Sequence, residues 1–300
     1  MSDEQAHADT GARALPPLHV GCPMWANRAW VGRHLPGDTA AGTELSPYSR
    51  LLNAVEGNTT FYASPSPASV AKWSAQATRP FRMVVKAPRE ITHDRRLRDV
   101  GGLLREFADL LAPLDDALGG VMLQLPASFG PADLDALDTT AAVLPGGIRW
   151  SVEVRHHEFC GGPSMDALHR LLERHGLERV VLDTTVLFSR PPRTEAGHDE
   201  WRTKPRLPLL DLALTDRPVV RYVGGDDADR VAAGLDRWSE TLGAWLHEGR
   251  SPTFFVHTPD NADTPALARS VHEAVAAANP GVPSLAEPLP VHSAAQASLF

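Results

Sequence analysis

The sequence predicts an α/β fold, a TIM-type (β/α)8 barrel that forms a single domain between flexible N- and C-terminal tails. Two observations favour this fold. Eight short apolar runs alternate with longer segments of helical periodicity along the 300 residues. The runs are rich in Val, Leu and Phe, as strands buried on both faces of a parallel sheet should be. An open doubly wound sheet is the alternative, and the count of eight runs favours the barrel.

The apolar runs of this pattern are the predicted strands. They lie at residues 18–22, 52–58, 81–86, 120–125, 149–155, 179–183, 218–223 and 253–257. The predicted helices lie at residues 66–77, 103–112, 131–143, 164–175, 229–247 and 265–278. Ser66-Pro67 and Thr264-Pro265 each place a hydroxyl residue before a proline, which is a helix start signal.

The two ends of the chain differ from its middle. Residues 1–17 show no hydrophobic periodicity, and residues 279–300 are rich in Pro, Ser and Ala. We therefore expect a barrel domain over residues 18–278, an N-terminal tail over residues 1–17 and a C-terminal tail over residues 279–300.

Composition excludes several classes of protein. The formal net charge of −8, from 29 Lys+Arg and 37 Asp+Glu, argues against a protein that coats nucleic acid with its whole surface. The sequence has no apolar run long enough for a membrane span, and its polar start does not resemble a signal peptide, which predicts a cytoplasmic protein. Cys22 and Cys160 can form neither a disulfide framework nor a cysteine-based zinc finger.

Nearly every predicted strand ends in a polar residue. In a barrel these carboxyl-terminal ends form the active face, and a charged group inside a strand is costly unless it is paired or functional. We expect a functional pocket here, with some of the residues forming a salt-bridged plug. The residues concerned are Glu56, Asn58, Lys86, Gln124, Glu153, Arg155, Asp183, Arg221 and His257.

The signs of these charges favour an anionic ligand. Lys86, Arg155 and Arg221 come from three different strands, and three converging cations suit a phosphate or a carboxylate better than a divalent metal. The histidines and acids show no HxH or HExxH spacing, so no metal site is predicted. The sequence does not indicate a cofactor. The further residues expected to contact substrate are His156, Asp260 and Asn261.

Four side chains suit acid–base chemistry. They are the carboxylates Glu56, Glu153 and Asp183 and the imidazole of His93, with Glu153 or Asp183 as general base and His93 as general acid. No GxSxG nucleophile elbow, P-loop or GxGxxG motif is present.

Three predicted strand-to-helix loops are rich in cations. They cover residues 23–36, 86–98 and 187–206, and the first also holds Trp25 and Trp30. Aromatic rings can stack on bases while cations hold phosphates, which favours nucleic acid or nucleotide contact. The alternative is a set of solvated loops, because acidic residues are interspersed in them.

Six stretches of the sequence resemble one family. They are VEGNTTFY (55–62), the TH of EITH (92–93), QLPASFG (124–130), VEVRH (152–156), LDTT (182–185) and FFVHTPDNA (254–262). In this order, over about residues 18–278, they resemble the YecE-like family, also called domain of unknown function 72. The resemblance implies a TIM-type barrel and supplies no substrate. Many members carry R-x-H-G where this chain reads RYVGG (221–225), and others end the eighth strand in FNN where His257-Thr258 stands here.

The last five residues resemble a peptide with a known kind of partner. Gln296, Leu299 and Phe300 match the Q-x-x-L-F type of peptide by which bacterial DNA-processing proteins dock on the sliding clamp. A tail of this kind can place two apolar anchors in a shallow groove. The alternative is that Leu299 and Phe300 fold back on the barrel.

Three hypotheses for function follow. The first is a barrel, and if an enzyme then a hydrolase or lyase, that binds or processes a phosphate-bearing substrate, with nucleic acid and DNA repair as candidates. The second is a non-catalytic clamp-associated nucleic-acid-binding module. The third is a small-molecule barrel enzyme of the sugar-phosphate isomerase or lyase kind.

Overall fold

A computed structural model describes residues 14–291. In this part of the chain nine parallel strands form one sheet, which curls into a nearly closed barrel. The strands are β1 (His19–Cys22), β2 (Ala54–Gly57), β3 (Arg82–Lys86), β4 (Leu118–Gln124), β5 (Trp150–Glu153), β6 (Glu178–Arg179), β7 (Val181–Asp183), β8 (Val219–Val223) and β9 (Thr253–His257). Their order is β6-β5-β4-β3-β2-β1-β9-β8-β7. The fold class predicted from the sequence is confirmed.

The sixth predicted strand is divided in two. β6 pairs with β5 and β7 pairs with β8, and only Val180 stands between β6 and β7. The Val180 amide still donates to the Val152 carbonyl oxygen over 2.9 Å. The ring of eight predicted strand positions is therefore retained, although residues 179–183 do not form one continuous strand.

Helices follow the strands on the outside of the barrel. They are α1 (Leu45–Leu51), α2 (Thr59–Tyr62), α3 (Pro67–Gln76), α4 (Gly101–Leu111), α5 (Leu134–Ala141), α6 (Gly162–Arg174), α7 (Glu195–Thr203), α8 (Ala228–His247) and α9 (Thr264–Ala278). Ser66 caps α3 by accepting from the Ser69 amide over 3.1 Å, as its start signal predicts. The sequence analysis did not identify α1, α2 or α7.

The inside of the barrel is layered. A middle layer is apolar and consists of Ala54, Val84, Met122, Val180, Val219 and Phe255. Side chains two positions apart on a strand point to the same side, so the residues two positions further along these strands lie in the next layer toward the carboxyl-terminal end. We call that end of the barrel its mouth. The larger apolar core lies between the strands and the surrounding helices.

The ends of the described chain pack against this barrel. The Leu15 amide donates to the Gly281 carbonyl oxygen over 3.1 Å, and Val282 is buried in the core. Residues 279–291 contain no helix or strand, but Arg269 of α9 binds the carbonyl of Ala286. Within residues 14–291, no helix combines the length and apolar character needed to cross a membrane.

Candidate functional site

Seven polar side chains meet at the mouth and form what we call the polar ring. Its members are Glu56, Lys86, Gln124, Glu153, Arg155, Arg221 and His257. Five of them stand two positions beyond a member of the apolar middle layer, and strand alternation therefore turns them all inward. These sequence-predicted site residues are brought together by the fold.

Arg221 is the centre of the polar ring. Its Nε and Nη2 atoms lie 2.7 Å and 3.0 Å from the two carboxylate oxygens of Glu56. Its Nη1 atom lies 2.5 Å from Oε2 of Glu153. All three side chains are buried. Arg221 thus bridges β2 and β5, which are not neighbours in the sheet. The two carboxylates together offset its positive charge.

Lys86 completes the contacts of Glu56. Its Nζ atom lies 3.1 Å from Oε1 of Glu56 and 2.8 Å from Oε1 of Gln124. The hydroxyl of Thr60 donates to the Lys86 carbonyl oxygen over 2.6 Å and so fixes the end of β3 against α2. Sequence reasoning missed Thr60, although it lies inside the NTTFY stretch.

Arg155 pairs with Glu153, which stands two residues earlier in the sequence. Its Nε atom lies 2.7 Å from Oε1 of Glu153. Within residues 14–291, the two terminal amino groups of Arg155 have no hydrogen-bond acceptor. The side chain is 17% exposed, the largest exposure among the ion-paired ring residues. Arg155 therefore presents unused donors to the mouth.

The polar ring carries an excess of positive charge. It holds two carboxylates, Glu56 and Glu153, against the three cations Lys86, Arg155 and Arg221. Two carboxylates cannot neutralise three cations, so the fully ionised ring has a net charge of about +1. An anion at the mouth would complete the charge balance.

The carboxylates of the ring are held in their ionised form. Burial alone would raise the pKa of Glu153, but the charges of Arg221, Arg155 and Lys86 lower it to about 2. The pKa of Glu56 is likewise well below its usual range, because Arg221 and Lys86 outweigh the effect of burial. A carboxylate with so low a pKa is a poor general base, so both groups serve to position the cations.

His257 contributes a neutral imidazole. Its Nε2 atom lies 3.1 Å from Oε2 of Glu56. Burial lowers its pKa to about 4, although the neighbouring carboxylate of Glu56 acts in the opposite direction. The imidazole is therefore uncharged at neutral pH, and its Nε2–H donates a hydrogen bond to Glu56.

His93 lies in a short π-helix, Glu90–Asp94, that follows β3. Its Nδ1 atom lies 2.9 Å from the Thr92 hydroxyl, and its ring packs edge-on against Phe61 with centroids 4.9 Å apart. Burial lowers its pKa, and the charges of Arg89 and Arg155 add to the effect. His93 thus lies close enough to Arg89 and Arg155 for their charges to lower its pKa.

Asp183 does not join the polar ring. Its carboxylate accepts from the Trp238 indole over 2.7 Å, from Arg237 over 3.0 Å and from the Thr185 hydroxyl over 2.6 Å. Since Leu182 stands two positions beyond Val180 of the middle layer, the adjacent Asp183 points outward, toward α8. The expected role of Asp183 as a general base is not compatible with this position.

Four other predicted contact residues lie in loops around the mouth. His156 stacks on His157, with ring centroids 4.8 Å apart. Asn58 donates to the Pro23 carbonyl over 2.8 Å, and its Oδ1 atom is buried without a partner among residues 14–291. Asp260 accepts from the Ala262 amide, and Asn261 accepts from the Thr258 amide. These bonds shape the loops.

A cavity of about 620 Å³ lies beside the ring, between the loops after β8 and β9 and helices α8 and α9. Three carboxylates line it, those of Asp226, Asp260 and Asp263. Their charge makes this cavity unsuitable for an anion. Sequence reasoning did not anticipate it, because no single stretch of sequence contains it.

Most cations of the three basic loops are ion-paired in the structure. The pairs are Arg33–Asp263, Arg89–Asp94, Arg95–Glu90, Arg96–Asp133, Arg98–Asp133, Arg190–Asp227, Arg202–Asp199 and Lys204–Glu200. Seven carboxylates face these eight cations, because Arg96 and Arg98 share Asp133, and the pairs therefore offset most of the positive charge that a nucleic acid would need. The arrangement favours the alternative of solvated loops. The clamp-docking residues Gln296, Leu299 and Phe300 lie outside the described residues.

Comparison with known proteins identifies the family. The family model "Protein of unknown function DUF72" matches residues 19–293. UPF0759 protein YecE of Escherichia coli K12 is 37% identical over 257 residues, which cover 85% of this chain and 92% of the relative.

Solved structures share the barrel. A DUF72 family protein from Thermotoga maritima MSB8 matches with a TM-score of 0.65 and 20% identity, over 86% of this chain and 97% of that one. A DUF72 family protein from Enterococcus faecalis V583 matches with a TM-score of 0.64 and 14% identity, over 86% of this chain and 95% of that one. The resemblance noted in the sequence is confirmed: the chain is a member of the DUF72 family.

Proposed function

We propose that the polar ring binds the phosphate group of a phosphate-bearing substrate at the mouth of the barrel. The observation that carries the proposal is the excess cation: three cations face two carboxylates, and the unused donors are those of Arg155. A guanidinium with free terminal amino groups matches the geometry of a phosphate.

Each ring residue then has a role. Arg155 donates to the phosphate oxygens and is held in place by Glu153 and Arg221, while Lys86 and Glu56 lie beside them at the mouth. His93, whose pKa burial lowers, remains the candidate for acid–base chemistry at the mouth.

The depth of the ring favours a small substrate. The side chain of Lys86 is 9% exposed, so only a small group can reach its amine. With most loop cations already ion-paired, little unpaired charge remains around the mouth to follow a polymer backbone. A phosphorylated small molecule is therefore favoured over nucleic acid.

A phosphate titration tests the proposal. Inorganic phosphate is titrated into the full chain and followed by phosphorus NMR, with Arg155→Met compared against Arg170→Met, an exposed arginine on α6. We expect Arg155→Met to weaken binding about tenfold or more, the cost of losing a charge-assisted hydrogen bond. We expect Arg170→Met to leave it within about twofold. Equal affinities for the two variants would contradict the proposal.

A further inference from the structure

We propose that Lys86 is a nucleophile that forms an imine with the carbonyl carbon of a phosphorylated aldehyde or ketone. The inference rests on the proposed phosphate site and adds a reaction to it.

Two acceptors fix the orientation of the amine. Oε1 of Glu56 and Oε1 of Gln124 both accept from Nζ, at 3.1 Å and 2.8 Å. A neutral amine has two hydrogens, and when both are donated to these oxygens its lone pair points away from them. Lys86 is the last residue of β3, at the mouth, and its side chain is 9% exposed. The lone pair is therefore used by neither acceptor and can meet a carbonyl that enters at the mouth.

The surroundings also make the neutral amine available. Burial lowers the pKa of Lys86, and the charge of Arg221 lowers it further, to about 8. About one molecule in ten then carries the neutral amine at pH 7, far more than for an exposed lysine.

The composition of the chain points the same way. Its 29 basic residues include only three lysines, Lys72, Lys86 and Lys204. Arginine stands at nearly every other cationic position, including the two that pair with the ring carboxylates beside Lys86. A guanidinium stays protonated in proteins, whereas an amine can lose its proton and attack a carbonyl. A lysine at this one buried position suits chemistry that arginine cannot perform.

The step balances without an added reactant. Nζ of Lys86 attacks the carbonyl carbon, the carbonyl electron pair moves to its oxygen, and one amine proton passes to that oxygen. The resulting carbinolamine loses its hydroxyl together with the second amine proton as water, and the C=N bond forms. Arg155 holds the phosphate of the same molecule.

Reductive trapping tests the inference. The full chain is incubated with glyceraldehyde 3-phosphate and sodium cyanoborohydride, which reduces the imine to a stable secondary amine, and peptide mass mapping locates the adduct. We expect modification of Lys86 at least about tenfold faster than of Lys72 or Lys204. Lys86→Arg should abolish the fast modification, and Lys72→Arg should not change it. Mapping in the unsubstituted chain gives the answer even if Lys86→Arg fails to fold.

Separate outcomes distinguish this inference from the phosphate site. Phosphate binding that depends on Arg155, together with equal slow modification of all three lysines, would overturn the nucleophile and leave the phosphate site standing. Fast modification of Lys86 by unphosphorylated glyceraldehyde, unchanged in Arg155→Met, would support the nucleophile and overturn the phosphate site.

Discussion

At the residue scale, the two buried carboxylates determine whether the polar ring holds together. Glu56 accepts from Arg221, Lys86 and His257 at once and is completely buried. Arg221 in turn is held in its charged form, because the two carboxylates outweigh the effect of burial and raise its pKa. Each of these charged groups is stable in the interior only while its partner is present, because a buried charge that loses its partner is strongly destabilising.

Replacing Glu56 should therefore be costly. We expect Glu56→Gln to lower the free energy of unfolding by about 3–5 kcal/mol, because it leaves Arg221 and Lys86 short of a buried counter-charge. Urea unfolding measures the change, and Glu106→Gln, an exposed residue on α4, serves as the matched control with an effect within about 0.5 kcal/mol. A loss below about 1 kcal/mol for Glu56→Gln would show that the buried contacts are not as described.

His257 makes stability depend on pH in a defined window. Its pKa is lowered from 6.5 to about 4 on folding, so the unfolded chain takes up a proton first as the pH falls. Stability is complete above pH 6.5 and declines as the pH falls toward 4, with His19 and His272 acting in the same direction.

The variant His257→Gln isolates this contribution. Between pH 7 and pH 5, above the range where carboxylates titrate, we expect the variant to lose less stability on acidification than the unsubstituted chain. Urea unfolding at several pH values in that interval measures the slope. An unchanged slope in His257→Gln would mean that this histidine is not held neutral by the fold.

At the scale of elements, Asp183 joins the end of β7 to α8. Its carboxylate binds Trp238 and Arg237 of that helix, and Trp238 itself packs against Phe254 with ring centroids 5.6 Å apart. Asp183 therefore acts as a structural anchor.

Substituting Asp183 separates structure from function. We expect Asp183→Asn to lower the free energy of unfolding by about 1–3 kcal/mol, because charge-assisted bonds to the helix are weakened. Phosphate affinity should stay within about twofold, because the group lies outside the polar ring. Urea unfolding and the phosphate titration measure the two effects. If the Asp183→Asn chain folds but binds phosphate tenfold more weakly, Asp183 is part of the phosphate site after all.

The observed strands and helices show how much of the fold the sequence could predict. Each of the eight predicted runs contains observed strand residues, because apolar runs and their polar ends are local signals. The direction of the Asp183 side chain was not predictable from the sequence. It depends on the alternation of inward and outward side chains past Val180, where the strand is interrupted. The short helix α2 was missed because its four residues have no helical period to detect, although it fixes Lys86 through Thr60.

At the scale of the whole molecule, charge is distributed unevenly. The chain is acidic overall, yet its barrel interior holds one cation in excess at the mouth, while the neighbouring cavity is lined by carboxylates. The contact between ring residues such as Glu56 and Arg221 joins positions 165 residues apart in the sequence. Their residue types were predictable from local sequence, but their pairing follows only from closure of the barrel.

The C-terminal peptide gives a prediction that is independent of the barrel. If Gln296, Leu299 and Phe300 dock on the bacterial sliding clamp, deleting residues 296–300 should abolish binding to purified clamp and leave phosphate affinity unchanged. Surface plasmon resonance with the full chain and the truncated chain measures the first effect. A double variant, Leu299→Ala with Phe300→Ala, removes the two apolar anchors from a chain of unchanged length. Retained clamp binding in both variants would refute the prediction.

The central claim is that the polar ring is a phosphate site, and one diffraction measurement tests it most directly. Crystals of the full chain are soaked in tungstate, a phosphate analogue with strong anomalous scattering. We expect an anomalous peak at the mouth, within hydrogen-bond distance of the terminal amino groups of Arg155. Peaks confined to exposed arginines, with nothing at the polar ring, would contradict the account.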